Sequence, residues 1–154
     1  MTAIRIKPHH LIDIITELAD PEVEFRPSPY GHAVHSVAEA VLADRDAALA
    51  MELGIDDICE PCKHHKGALC GDTIDTSFRP DAPESKMMWN LRIDERWCER
   101  LGITQGSEVT AREFAELVRE RAGDITDIYR EIPAERTRQR AEKLSAGIEN
   151  FLAG

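Results

Sequence analysis

Three of the chain's four cysteines and two of its six histidines fall within one stretch, DDICEPCKHHKGALCG, residues 56–71. Cys59-Glu-Pro-Cys62 has the C-x-x-C spacing that lets two thiolates reach one metal centre without backbone strain. Cys70 follows after seven residues, and Cys98 stands alone further on, where only tertiary folding brings it to the others. Four thiolates suit either a tetrahedral zinc ion or a [4Fe-4S] cubane. Zinc ribbons repeat C-x-x-C twice, whereas here the third and fourth cysteines are solitary, an arrangement that a cluster with four separate corners accommodates more readily. The expected cofactor is therefore a [4Fe-4S] cluster on Cys59, Cys62, Cys70 and Cys98, with zinc as the alternative. His64 and His65 either replace a thiolate in a Cys3His zinc site or are solvated loop residues, and Cys98 is alternatively a plain buried thiol behind Trp97.

A second group lies near the start, in PHHLID, residues 8–13. Side chains three or four apart share a helix face, so His9, His10 and Asp13 can point the same way. Beside a cluster, a histidine donates a hydrogen bond to a sulphide or carries a proton during turnover; otherwise the two histidines cap the helix or fill a polar pocket. Asp56 and Asp57 have the side chains to hold the ligand loop through bonds to its backbone.

Composition narrows the partners. A chain of 154 residues, 42% hydrophobic and 31% charged, suits one domain that folds without a metal staple. Its formal charge of -10 repels phosphate backbones, which argues against nucleic acid. The first residues lack a secretory h-region, and no apolar run approaches a membrane span, so the expected location is cytoplasmic. In a reducing cytosol, cysteines spaced like these are metal ligands or redox groups rather than disulfides.

The elements that must position these residues read as mostly α, in a single domain of helices around the cysteine-bearing metal loop. Residues 3–7 alternate as a short strand, and His9–Leu18 forms a helix. Pro21, Pro27, Pro29 and Gly31 mark a loop. A helix covers 32–45, and residues 48–53 either continue it or turn back as a strand beside 3–7, making a two-stranded sheet. Residues 71–85 are irregular. A helix from Glu84 to Leu101 offers Met87, Met88, Leu91 and Trp97 to the core, with Gly102 at its end. Thr110 and Glu113 form a capping box opening a helix over 111–121. The last helix starts at Pro133, and its stripe of Ala141, Leu144, Ile148 and Phe151 is core or a dimer contact, so a monomer and a homodimer are both compatible.

The segments IRIKPHHL, YGHAV, GIDDICEPC with its following cysteine, and LGITQGSEVTAREFAELV, in that order, resemble the family catalogued as domain of unknown function 1284, over about residues 4–121. Its members are regarded as iron–sulphur binders with no activity attached, and residues 124–154 look like an added C-terminal helical region. The family's first motif runs P-H-H-L-L-C, so the resemblance implies a ligand at position 13, where this chain has Asp13. Either Cys98 replaces the lost cysteine, or Asp13 binds the fourth iron through oxygen and leaves a more labile corner.

Three functions follow from these readings. The first is an iron–sulphur protein with a redox or catalytic role on a small molecule, with His9 or His10 as proton carrier. The second is a non-enzymatic electron carrier or redox sensor that meets a partner protein. The third is a zinc-stabilised interaction module. Phosphate-loop, dinucleotide-binding and nucleophile-elbow motifs are absent from the sequence.

Overall fold

Pro8 ends the first strand and opens the first helix. It has no N–H to give to a sheet, and its fixed φ suits a first helical turn. In a computed structural model, which describes residues 3–63, 65–66 and 69–154 (the backbone alone at His65, Lys66 and Leu69), strand β1 (Ile4–Ile6) leads through Lys7 into helix α1 (Pro8–Glu17). Leu11, Ile12, Ile14 and Ile15 of α1 are buried. After the proline-rich loop comes α2 (Val34–Ala43), which buries Val37, Ala38 and Val41. Residues 48–51 then turn back as β2 (Ala48–Met51), parallel to β1, with Ile4 opposite Leu49 and Ile6 opposite Met51. Parallel strands need a long crossover, and α1 with α2 supplies it.

The cysteine loop follows, with its short antiparallel pair β3 (His65–Lys66) and β4 (Leu69–Cys70), and then α3 (Lys86–Leu101). Next come β5 (Glu108–Thr110), α4 (Ala111–Arg121) and α5 (Ala134–Ala153). Strand β5 pairs antiparallel with β2, so the sheet has three strands in the order β1-β2-β5 rather than two. Three residues directly before a helix cap are too few to show an alternating pattern, which is why the sequence reading passed over β5. The capping box is present: Thr110 Oγ1 accepts from the Glu113 N–H at 3.0 Å. Helix α3 ends at Gly102, whose φ of 73° is the left-handed conformation expected of a C-terminal glycine.

The buried face of α3 also differs from the expectation. Met88 is 54% exposed, and the inward stripe is Trp89, Ile93, Trp97 and Leu101, set four apart. That stripe buries both tryptophans, far more apolar surface than a stripe through the methionines would. The C-terminal stripe lies inside the chain's own core, where Leu144, Ile148 and Phe151 join one cluster with residues of α1, α3 and α4. Helix α5 packs along α1 and α4. Gly147 makes this possible: a Cβ there would sit 1.9 Å from the Ile15 carbonyl oxygen of α1. Among the described residues, no helix is long and apolar enough to cross a membrane.

Candidate metal centre and its cavity

The N-terminus of α1 presents N–H groups with no helical partner and the positive end of the helix dipole. Two carboxylates remote in sequence meet it. Asp94 of α3, fully buried, accepts from the His9 N–H at 2.7 Å and from His9 Nδ1 at 2.9 and 3.0 Å through its two oxygens. Asp56, also fully buried, accepts the Lys7 N–H at 2.8 Å and His10 Nδ1 at 2.7 Å through one oxygen. Its other oxygen takes the N–H groups of Ile58 at 3.1 Å and Cys59 at 2.9 Å. Asp56 thus ties the histidine helix to the cysteine loop, as its position beside Cys59 suggested. Asp57 supports the same loop by accepting from the N–H and side chain of Arg5.

The two histidines, with ring centroids 4.3 Å apart, are driven in opposite directions. Burial opposes a charge on His9, but Asp94 outweighs it, and the pKa of His9 lies above its ordinary value. Burial, followed by the nearby charge of His9, holds His10 below its ordinary value. Burial would also raise Asp56, yet the bonds it accepts from His10, Lys7 and Cys59 keep it well below the usual carboxylate range. An ionised Asp56 requires His10 to carry its proton on Nδ1, so the lone pair of the ring is on Nε2.

These histidines open onto a cavity of about 360 Å³. Cys59, Cys62 and Cys70 line it, as do His9, His10 and Asp13. The tight turn in which the Cys62 N–H donates to the Cys59 carbonyl at 2.9 Å sets the first two cysteines, and β4 carries the third. The loop before α2 clasps the cysteine loop, with the Ala33 N–H donating to Ile58 and the Lys63 N–H to Tyr30. At Gly31, with φ of 81°, a Cβ would lie 3.0 Å from the Pro61 carbonyl oxygen, so the close approach requires glycine. Cys98 is elsewhere. It is buried in α3 within the apolar core and does not line the cavity, and burial followed by the charge of Asp94 pushes its thiol up to about 11. His64 and the side chain of His65 lie outside the described residues.

The donors in the cavity fit a thiolate-bound metal centre. Burial, then the charge of Asp56, pushes the Cys59 thiol up to about 12, the opposite of what a free nucleophile needs. A coordinating cation deprotonates such a thiol outright. Lys7 is 1% exposed, and its Nζ lies 3.6 Å from Cys59 Sγ, a placement that suits a charged thiolate and leaves a buried amine with little reason otherwise. His10, Asp56 and Cys59 also bring one ligand atom each within 4.8 Å of one another. The four bonds already made by Asp56 occupy both its oxygens, which makes it the holder of this group rather than a ligand. Asp13 is held by an ion pair with Arg140 of α5.

Several of these partners were missed from sequence. Asp94 had a legible signal, being an acid on the same helix face as Trp97, Cys98 and Leu101. Lys7 and Arg140 had none, because their partners Cys59 and Asp13 come from elements far along the chain. In comparisons with known proteins, the chain matches no family model, no curated protein and no solved structure.

Proposed function

We propose that the chain binds a [4Fe-4S] cluster through Cys59, Cys62 and Cys70, leaves the fourth corner without a cysteine, and acts there on a small molecule. The observation that carries this reading is the membership of the cavity: three cysteines, His9, His10 and Asp13 line it, and Cys98 does not. The resemblance of PHHLID and DDICEPC to an iron–sulphur family supports the same ligand loop. A closed four-cysteine shell, which an electron carrier favours, would require Cys98 to leave the core of α3. When bound, a cluster with one iron free of cysteine supplies a Lewis-acidic iron or an electron. Around it, Asp13 offers an oxygen and Lys7 faces the Cys59 sulphur. Neutral His10, oriented by Asp56, is the group able to accept a proton at Nε2.

Zinc is the second reading, favoured by the closeness of His10 to Cys59, which together with Cys62 and Cys70 would complete a Cys3His site. Anaerobic purification with iron, sulphide and zinc analysis separates the two. The expected result is about four irons and four sulphides per chain, lost in Cys59→Ser, Cys62→Ser and Cys70→Ser and retained in Cys98→Ser. Stoichiometric zinc without sulphide would overturn the cluster in favour of the ion, and loss of the cluster in Cys98→Ser would restore the four-cysteine shell.

A further inference from the structure

The protein is acidic overall, with a formal charge of -10, but the cavity lined by the cysteines reverses the sign. Beside the cysteines, Lys7, Arg79, Lys86 and Arg140 line it against the carboxylates of Asp13 and Asp72. Such a reversal in a concave, partly apolar site concentrates anions.

Two of the cations also have unused donors. The guanidinium of Arg79 lies over the rings of Phe78, at 4.7 Å, and Trp89, at 5.0 Å, and its Nε donates to the Asp75 carbonyl at 2.8 Å. Among the described residues no acceptor meets its terminal nitrogens. Arg140 pairs one terminal nitrogen with Asp13 and lies 5.6 Å from the centroid of the Tyr129 ring, yet its Nε is buried with no partner. His32 Nδ1, on another residue lining the cavity, is likewise buried and unpartnered. Of the four buried side-chain nitrogen and oxygen atoms without partners among the described residues, these two belong to residues that line the same cavity. Folded proteins leave few such groups unsatisfied, and each calls for an acceptor.

We propose that this cavity binds a small organic carboxylate, gripped by the guanidinium groups of Arg79 and Arg140 with His32 as a further donor. Guanidinium forks match the two oxygens of a carboxylate. Ile74, Trp89 and Ile132 provide apolar wall for a short carbon skeleton. The volume is near the lower end of small-molecule sites, about 300–1,000 Å³, so with a metal centre in place only a few carbon atoms fit. Phosphate is less well served, because backbone N–H nests cradle it and no glycine among the described residues lines the cavity. The inference rests on the cavity of the proposed metal centre and names what binds beside it.

The test uses the full chain, both anaerobically reconstituted and metal-free, with acetate, malonate and succinate as probes. The corresponding amides and inorganic phosphate serve as controls, read by calorimetry and by the shift in Tm. Binding of at least one carboxylate, absent for its amide and weakened about tenfold or more in Arg79→Gln, supports the inference. Arg79 makes no ion pair among the described residues, so its variant should fold; Arg140→Gln is the second variant, with circular dichroism as control. No binding of any carboxylate, equal binding of acid and amide, tighter binding of phosphate, or an unchanged Kd in Arg79→Gln would overturn it. Carboxylate binding by a protein that never takes up iron or zinc would sink the metal reading and keep this one. A cluster-loaded protein indifferent to carboxylates would do the reverse.

Discussion

The two ends of α1 solve the same problem by different means. Its N-terminal end is buried among charged and titratable groups, with Lys7, His9 and His10 held by Asp56 and Asp94 across 46 to 85 residues of sequence. Its C-terminal half is a close-packed apolar seam, where Ile15 meets Gly147 of α5 and the exposed Asn150 side chain donates to the Leu18 carbonyl at 2.8 Å. Burying charge is expensive even when it is fully paired, whereas apolar packing stabilises by burial alone. A fold needing only stability would make both ends alike. The polar end coincides with the cysteine cavity, which Lys7, His9 and His10 line.

That contrast can be broken most severely at Asp56. Asp56→Ala leaves four donors without their acceptor and detaches α1 from the cysteine loop, so a loss of about 3–5 kcal/mol is expected in chemical denaturation, together with loss of bound metal. The seam responds differently. Gly147→Ala gains about 1 kcal/mol in helix propensity, but the new Cβ forces α5 away from α1. We expect a net loss of about 1–3 kcal/mol in urea unfolding, with metal content per folded chain unchanged. If both variants lost metal equally, the two ends would not be functionally distinct.

The histidines sharpen the comparison within the polar end. His9, raised in the folded state by Asp94, contributes stability that is full below its unfolded pKa of about 6.5 and is lost as pH rises through the folded value. His10, lowered, contributes in the opposite sense, and its stability is present above about 6.5 and lost as pH falls through the folded value. In His10→Gln, stability should therefore decline as pH rises above 6.5, by at most about 1.4 kcal/mol per pH unit. In Asp94→Asn, burial and the charge of Lys7 oppose a proton on His9 and only Asp13 favours it, so the slope should reverse. Thermal unfolding between about pH 5 and 9 measures both, and equal slopes would refute the division of roles. The smallest effect belongs to Asn150→Ala, an exposed bond at the far end, at about 0.5–1 kcal/mol in the same assay and without pH dependence.

Much of the polar end was legible residue by residue. The C-x-x-C spacing marked the loop that lines the cavity, Pro8 marked the strand-to-helix junction, and His9, His10 and Asp13 were expected on one face. Asp56 was expected to hold the loop. What could not be read was which acid meets which histidine, since His9 and Asp94 are 85 residues apart and no local pattern encodes such a pair. The choice between ligand and buried thiol for Cys98 stayed open for the same reason: spacing counts thiols but does not orient them. On α3, periodicity alone suits the methionines to the core as well as the tryptophans, because a stripe is ambiguous until its neighbour is known, and the stripe carrying both tryptophans turned inward.

Local physics settled what local physics can. Periodicity, a proline without an N–H, a capping box at Thr110 and a glycine at position 102 determined the helices of the described residues, and the cysteine spacing determined a loop suited to metal. Only the tertiary structure decided that Cys98 stays in the core, that the C-terminal region contributes Tyr129, Ile132 and Arg140 to the cavity, and that an acidic chain encloses a cationic one. These are consequences of through-space burial and charge, whose strength depends on distances between residues that the linear order leaves free.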